Sequence, residues 1–569
     1  MYYSPLRQWV SSIKINKDNK FLFCCYSYKF KYEKILVKHF SEASRITNIN
    51  YKTLSTLIAI FVAILTTGYL RIHWVSFLPE TDGGIYSFYS QYFYTVLSNG
   101  ENIDPISPVI LYSLITSWVY GLEINQFIAL RWIDLCLAVI ASIVFFKVIE
   151  KESGSILFSV VTVAALLLVM HDYSLINYGF RNSIWAAYLP LFLALLISQN
   201  INSGNKNLFY LIGVLATFGV LLREPFLPFY IVGGVAILIT YGWKMLVKYL
   251  IGSFVFGLTT LFILIMLRGG GSPWMIFDSY IGIIERQSDL SSSLTIPYYF
   301  STFSLIMIKG YWFGIVLSAI STIYLLKLHF LDKKLVAISR FYFWLALSLV
   351  PILEATYKIG FDYHFANCIP GLAGMSAMGW RYVTLNEPKM IKKYLMVAIT
   401  VLCISGVYGN TVKTLDINVY HKENSIRDAY HQLWKNNYSE IETIRKSNFL
   451  IAADMLKQLS NKDSTLAIAG FAQVLFPLTG LLPTSLKMYD LRSAYLQLDW
   501  NEDEFVSLLK KERPTIIFPT KQVLPGIPNL TRAIQRTGLY ERVAIISYSP
   551  NVYYKTIVGD IYRLKSFKQ

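Results

Sequence analysis

The sequence predicts a polytopic α-helical membrane protein of about eleven transmembrane helices with a C-terminal soluble α/β domain. Two observations carry that expectation. Of 569 residues, 54% are hydrophobic and 15% charged, where soluble domains run to about 25% charged, and mean hydropathy is +0.44. Apolar runs also recur along the chain, many of them near the ~20 residues that cross ~30 Å of hydrocarbon. This composition excludes a disordered chain, a coiled coil and a disulfide scaffold. No cysteine lies beyond Cys403, so the C-terminal part has neither a disulfide framework nor a cysteine metal cluster.

The predicted spans are 53–70, 126–147, 155–170, 183–199, 207–222, 226–243, 246–267, 304–327, 335–353, 364–381 and 394–410. Three regions follow: a basic cytoplasmic segment 1–52, a membrane domain 53–410 with a long first outer loop 71–125, and an extracytoplasmic α/β domain 411–569. Net charge is +17, spread over all three regions. No part has the basic stripe or stacking motif of a nucleic-acid binder, so no nucleic-acid partner is expected. The first 52 residues hold ten Lys/Arg and three acids, which suits a membrane-surface anchor. The first apolar run starts near Thr53, too late for a cleaved leader.

Loop charge tests this topology. Between residues 53 and 410 the inner side would carry 13 Lys/Arg and four acids, the outer side seven and twelve. Basic loops resist translocation, so the asymmetry fits an inside N-terminus and an outside C-terminus. Arg131 and Asp134 fall inside a span, three residues apart, and are read as a structural pair. The stretch 108–121 is apolar but too short to cross and is placed along the outer leaflet. Beyond the last span, STLAIAG, PTSLKMYDL, PTIIFP and RVAIIS read as strands between amphipathic stretches such as DEFVSLLKKE. That alternation predicts a mainly parallel sheet.

The first outer loop opens ETDGGIYSFYSQYFYTVLSNGENIDPISPVILY. It sets Asp82 about ten residues past the first span, then two glycines, an aromatic helix and a short apolar helix. Cations and further acids sit at the outer span ends. Asp172 and Arg181 flank the second outer loop, and Arg223 stands in the hairpin LREPF. Arg268 ends the seventh span, and Lys358 and His364 precede the tenth. A single basic residue at a span end commonly snorkels to the interface as an anchor.

This first loop, with its early Asp82 and paired interfacial helices, resembles the GT-C superfamily of polyprenyl-phosphate-sugar-dependent glycosyltransferases. The likeness is strongest to the branch of protein O-mannosyltransferases and lipid A aminoarabinose transferases. Two departures stand out: Gly83 follows the acid where the family often has a second acid, and Ile106-Ser107-Pro108 replaces a Lys-Pro-Pro. The resemblance implies a multi-pass protein of a bacterial inner membrane that moves a sugar from a lipid-linked donor to an envelope glycan, lipid or protein. It matches Asp82 to the loop-one catalytic acid, with Glu80 as fallback, and Asp172 to a second-loop acid that in some members helps hold a metal. The chemistry independently asks for a carboxylate near the acceptor hydroxyl and for fixed cations at the leaving phosphate. Arg223, Arg181, Arg268, Lys358 and His364 are the candidates for the latter. A divalent metal is a minor expectation, since His171–Asp172 alone is a sparse ligand set. The rival readings are a flippase for lipid-linked sugars and a glycan polymerase or ligase of another fold.

Overall fold

The computed structural model describes residues 53–68, 81–103, 110–122, 126–170, 182–201, 205–274, 318–319, 321–323, 335–357, 366–386, 448–469, 472–496, 498, 501–519, 530–546 and 559–565. The chain divides into two compact units, Met1–Ile58 and Ala59–Gln569, and the site described below belongs to the second. In chain order the helices are α1 (Thr53–Thr67), α2 (Thr81–Ser98), α3 (Ile110–Thr116), α4 (Gln126–Ser153), α5 (Ile156–Met170) and α6 (Asn182–Ser198). They continue with α7 (Leu208–Leu222), α8 (Leu227–Tyr241), α9 (Trp243–Leu267), α10 (Leu335–Tyr357) and α11 (Ile369–Asn386).

Among the described residues, three helical segments are long and apolar enough to cross a membrane: Ala129–Ser153, Glu224–Tyr241 and Trp243–Leu267. At 25 residues and ~1.5 Å each, the first and last reach about 38 Å. Helices α1, α6, α7 and α10 carry shorter apolar stretches. Nine of the eleven predicted runs coincide with described helices. The run 304–327 is described only at 318–319 and 321–323, and 394–410 lies outside the described residues. Segment 108–121 appears as the seven-residue α3 followed by a 3-10 turn, Ser117–Gly121, far short of a span.

Neighbouring helices meet in the sequence α4, α6, α7, α9, α8, α10, α11, and α11 returns to α4, so they close a ring. The tightest approach is α7 on α9. A side chain at Gly213 would collide with the Tyr249 carbonyl, and one at Gly252 with that of Tyr210. Small residues let helix backbones touch where apolar burial gives little drive between helices in lipid. Ser253 Oγ uses that closeness to donate to the Gly213 carbonyl at 3.2 Å. Arg131 and Asp134 are 2% and 0% exposed in α4, as expected of charges held within a bundle.

After α12 (Asn448–Gln458), the chain alternates β1 (Leu466–Ala469), α13 (Leu475–Thr479), α14 (Leu491–Leu496), α15 (Glu502–Glu512), β2 (Ile516–Pro519), α16 (Leu530–Arg536), β3 (Tyr540–Ile546) and β4 (Gly559–Leu564). Helix α15 starts on Asn501, whose side chain accepts from the Asp503 and Glu504 amides. Three of its four acids sit in the first turn and its lysines in the last, the arrangement the helix dipole favours.

The sheet corrects the expectation of mainly parallel pairing. Its order is β1-β2-β4-β3; β1 and β2 are parallel, while β4 runs antiparallel to both β2 and β3. The last strand, GDIYRL, lies outside the strands expected from the sequence and carries charges within it. Those charges are cross-strand partners: Arg563 pairs with Glu541 at 3.1 Å and Asp560 lies 3.9 Å from Arg542. PTSLKMYDL is not a strand either. Only Leu482, just before it, forms an isolated bridge to Thr465, and Leu486–Met488 is a 3-10 turn.

Candidate functional site

The first-loop helices form a small layer over one end of the ring. Helix α2 is rich in Tyr and Phe, and its buried face includes Tyr86, Phe88, Tyr89 and Phe93. Helix α3 packs on it: Ser113 Oγ and Ser90 Oγ both donate to the Tyr86 carbonyl, at 3.2 and 3.0 Å. Ser90 and Thr116 hydroxyls meet at 3.0 Å, and the Tyr86 and Tyr112 rings pack edge to face at 5.7 Å. In the turn that follows, burial holds the Tyr120 hydroxyl well above its ordinary titration range, with a Ser87 hydrogen bond opposing the shift. It is therefore a neutral group throughout the physiological range.

Arg223 joins this layer to the ring. Pro225 has no amide hydrogen and disfavours helical geometry at the residue before it, so α7 stops at Leu222. Arg223 takes an extended conformation (φ −159°, ψ 112°) ahead of the 3-10 turn Glu224–Phe226. Its side chain is only 7% exposed. The guanidinium donates through Nη1 to the Tyr86 hydroxyl at 3.1 Å, a charge-assisted bond worth about 1.5–3 kcal/mol. Tyr86 lies one helical turn beyond Asp82, about 6 Å along the axis. The buried Arg223 is thus fixed to the helix whose first turn contains Asp82. Asp82 itself stands in the first turn of α2; the described side chains of α2 begin at Gly84.

Two further links gather at the same end. The Ile103 amide donates to the Leu267 carbonyl at 3.0 Å, tying the end of the α2 turn to the end of α9, where Arg268 is the C-cap residue. The Tyr188 hydroxyl donates to Asn367 Oδ1 at 3.4 Å in a buried setting, and the Tyr188 ring packs on Phe226 at 4.6 Å. Asn367 is thereby held beside the Arg223 hairpin, which contains Phe226.

The C-terminal region touches the layer from its other side. Phe88 packs on Phe476 at 4.6 Å and stacks on Tyr489 at 5.5 Å. At Gly84 the approach is so close that an added Cβ would lie 2.8 Å from the Val474 amide nitrogen. Val474, Phe476 and Tyr489 of the C-terminal region therefore pack on α2.

Of the eight sequence-selected residues, Arg223 and Arg268 are described at the end of the ring that α2 and α3 cover, and Asp82 by its place in α2. Glu80, Asp172, Arg181, Lys358 and His364 lie outside the described residues. Sequence reasoning missed Tyr86, Tyr188 and Asn367. For Tyr86 there was a signal, its spacing of four from Asp82; for the other two there was none, since their meeting depends on helices far apart in the chain. Among the described residues no three His, Cys, Asp or Glu side chains gather as a metal centre would require. Comparison with protein-family models yields no match, and comparison with curated proteins yields none either.

Proposed function

We propose that the chain is an inverting membrane glycosyltransferase of the GT-C kind, taking a sugar from a polyprenyl-phosphate donor to an acceptor at the outer face. The observation that carries this reading is the buried Arg223–Tyr86 bond, which ties a fixed cation to the helix of Asp82. In the reaction, the Asp82 carboxylate removes the proton of an acceptor hydroxyl while that oxygen attacks the anomeric carbon from the face opposite the phosphate. The bond from the anomeric carbon to the phosphate oxygen breaks, and the charge left on the polyprenyl phosphate is stabilised by Arg223. Arg268, Arg181, Lys358 and His364 are the further cations assigned to that phosphate, Glu80 is the alternative base, and Asp172 is assigned to organising the site. Phosphate is a good leaving group that needs no proton, so the protein supplies positive charge rather than an acid.

A second observation supports a lipid donor. An apolar groove of about 520 Å³ between α7, α8 and α9 is lined by Val220, Leu221, Leu227, Tyr230 and Phe254. Leu221 and Leu227 flank the Arg223 hairpin in sequence, so a chain lying in the groove would have one end beside that hairpin. With purified protein and a polyprenyl-phosphate hexose, Asp82→Asn is expected to lower transfer by about 10²–10⁴ and to leave donor binding intact. Arg223→Ala is expected to weaken donor binding. Wild-type transfer in the first variant would remove Asp82 as base; unchanged donor affinity in the second would remove Arg223 from the phosphate site.

A further inference from the structure

A second cavity lies inside the ring at the opposite end, among residues that the transferase reading does not use. It has a volume of about 150 Å³ and is walled by Leu191, Phe229, Ile237 and Trp344. Its charged and amide lining is Glu152, Gln199 and Arg340, and the hydroxyl residues Ser198, Thr240, Tyr241 and Tyr249 also line it. Glu152 is buried at 4% exposure, and its Oε1 receives the Gln199 side-chain amide at 2.7 Å. The same amide also donates to the Val148 carbonyl at 3.3 Å. The Gln199 Oε1 atom is buried and receives no hydrogen bond. The half-buried Arg340 makes no hydrogen bond or ion pair with the described residues.

A buried carboxylate and a guanidinium in apolar surroundings are costly unless matched by opposite charge. These two line one cavity without meeting within ion-pair distance, so what satisfies both carries an anion and an ammonium a few ångströms apart. The walls above are apolar, which suits an attached hydrocarbon chain. Lys147, Lys151 and Arg381 gather at the same end of the ring: Arg381 donates to the Lys151 carbonyl at 3.3 Å. This basic end is the one loop charge assigns to the inner leaflet. We infer that the cavity is a binding site for a zwitterionic glycerophospholipid of the inner leaflet, with phosphate on Arg340, ammonium on Glu152 and Gln199 Oε1, and the start of an acyl chain between Leu191, Phe229 and Trp344. The inference does not rest on the transferase reading.

The test uses the full chain, extracted in detergent, washed free of annular lipid, and offered phosphatidylethanolamine or phosphatidylglycerol. Native mass spectrometry is expected to find one retained phosphatidylethanolamine per chain. Arg340→Gln is expected to reduce retention about ten-fold or more, the size of one lost charge-assisted hydrogen bond. Glu152→Gln keeps an acceptor for the Gln199 amide and is expected to abolish the preference for phosphatidylethanolamine over phosphatidylglycerol. Gly233→Leu introduces bulk where the nearest atom to a new Cβ is 3.8 Å away, and is expected to block retention without touching a charge. Arg223→Ala is expected to retain the lipid as wild type does. A wild-type chain that holds no lipid, or holds both lipids equally, would overturn the site. So would cavity variants that melt like wild type and still retain phosphatidylethanolamine.

Discussion

At one end of the helix ring an arginine is buried under a polypeptide layer, and at the other the lysines and arginines, the cavity-lining Arg340 excepted, stay near the surface. Arg223 is held under the α2–α3 layer by the Tyr86 hydroxyl. By contrast, Lys248 reaches the exposed Asn207 side chain at 2.9 Å, Lys151 reaches Asn200, and Lys147 pairs with Glu150 at 3.1 Å. The residue types are the same at both ends. What differs is whether a polypeptide layer covers them. An uncovered basic residue snorkels and anchors; a covered one keeps its charge in low dielectric, where it acts strongly on any anion that enters.

Three substitutions sharpen or break that contrast. Tyr86→Phe removes the bond to Arg223 and leaves the ring packing, so transfer is expected to fall about ten- to hundred-fold, in line with a lost hydrogen bond to a charged group. If the rate of the purified variant is unchanged, the covered arginine does not need its layer. Gly84→Ala acts at a distance from the guanidinium by pressing on Val474. It is expected to cost about 1–3 kcal/mol in stability, the usual range for overpacking, and to show as a lower melting temperature. An unshifted melt would mean that α2 is not seated against the C-terminal region. Arg381→Ala, on the uncovered end, is expected to change stability by no more than about 0.5 kcal/mol and to leave transfer at the wild-type rate. A large loss there would erase the distinction between the ends.

The sequence carried the helices well because apolar runs and their breaks are local: LREPF marks the end of α7 and isolates Arg223 without any knowledge of neighbours. The short length of 108–121 likewise separated α3 from the spans. What it did not carry is long-range pairing. Tyr86 is one of many aromatics in α2, and nothing local distinguishes it until Arg223 arrives from 137 residues away. Strand β4 was hidden for the same reason, since Asp560 and Arg563 look like loop residues until their partners on β3 are in place. The polar lining of the second cavity shows the same limit: Glu152 and Arg340 come from two helices and Gln199 from the turn after a third, and they share no motif.

The most direct test of the contrast between the ends is impermeant thiol labelling in intact cells, on a cysteine-free background. Asn99→Cys sits in the exposed turn after α2, Asn200→Cys in the exposed turn after α6. The expected result is labelling of the first in intact cells and of the second only after the membrane is permeabilised. Labelling of Asn200→Cys in intact cells, with Asn99→Cys protected, would put the covered arginine on the wrong side of the membrane for a lipid-linked donor at the outer face.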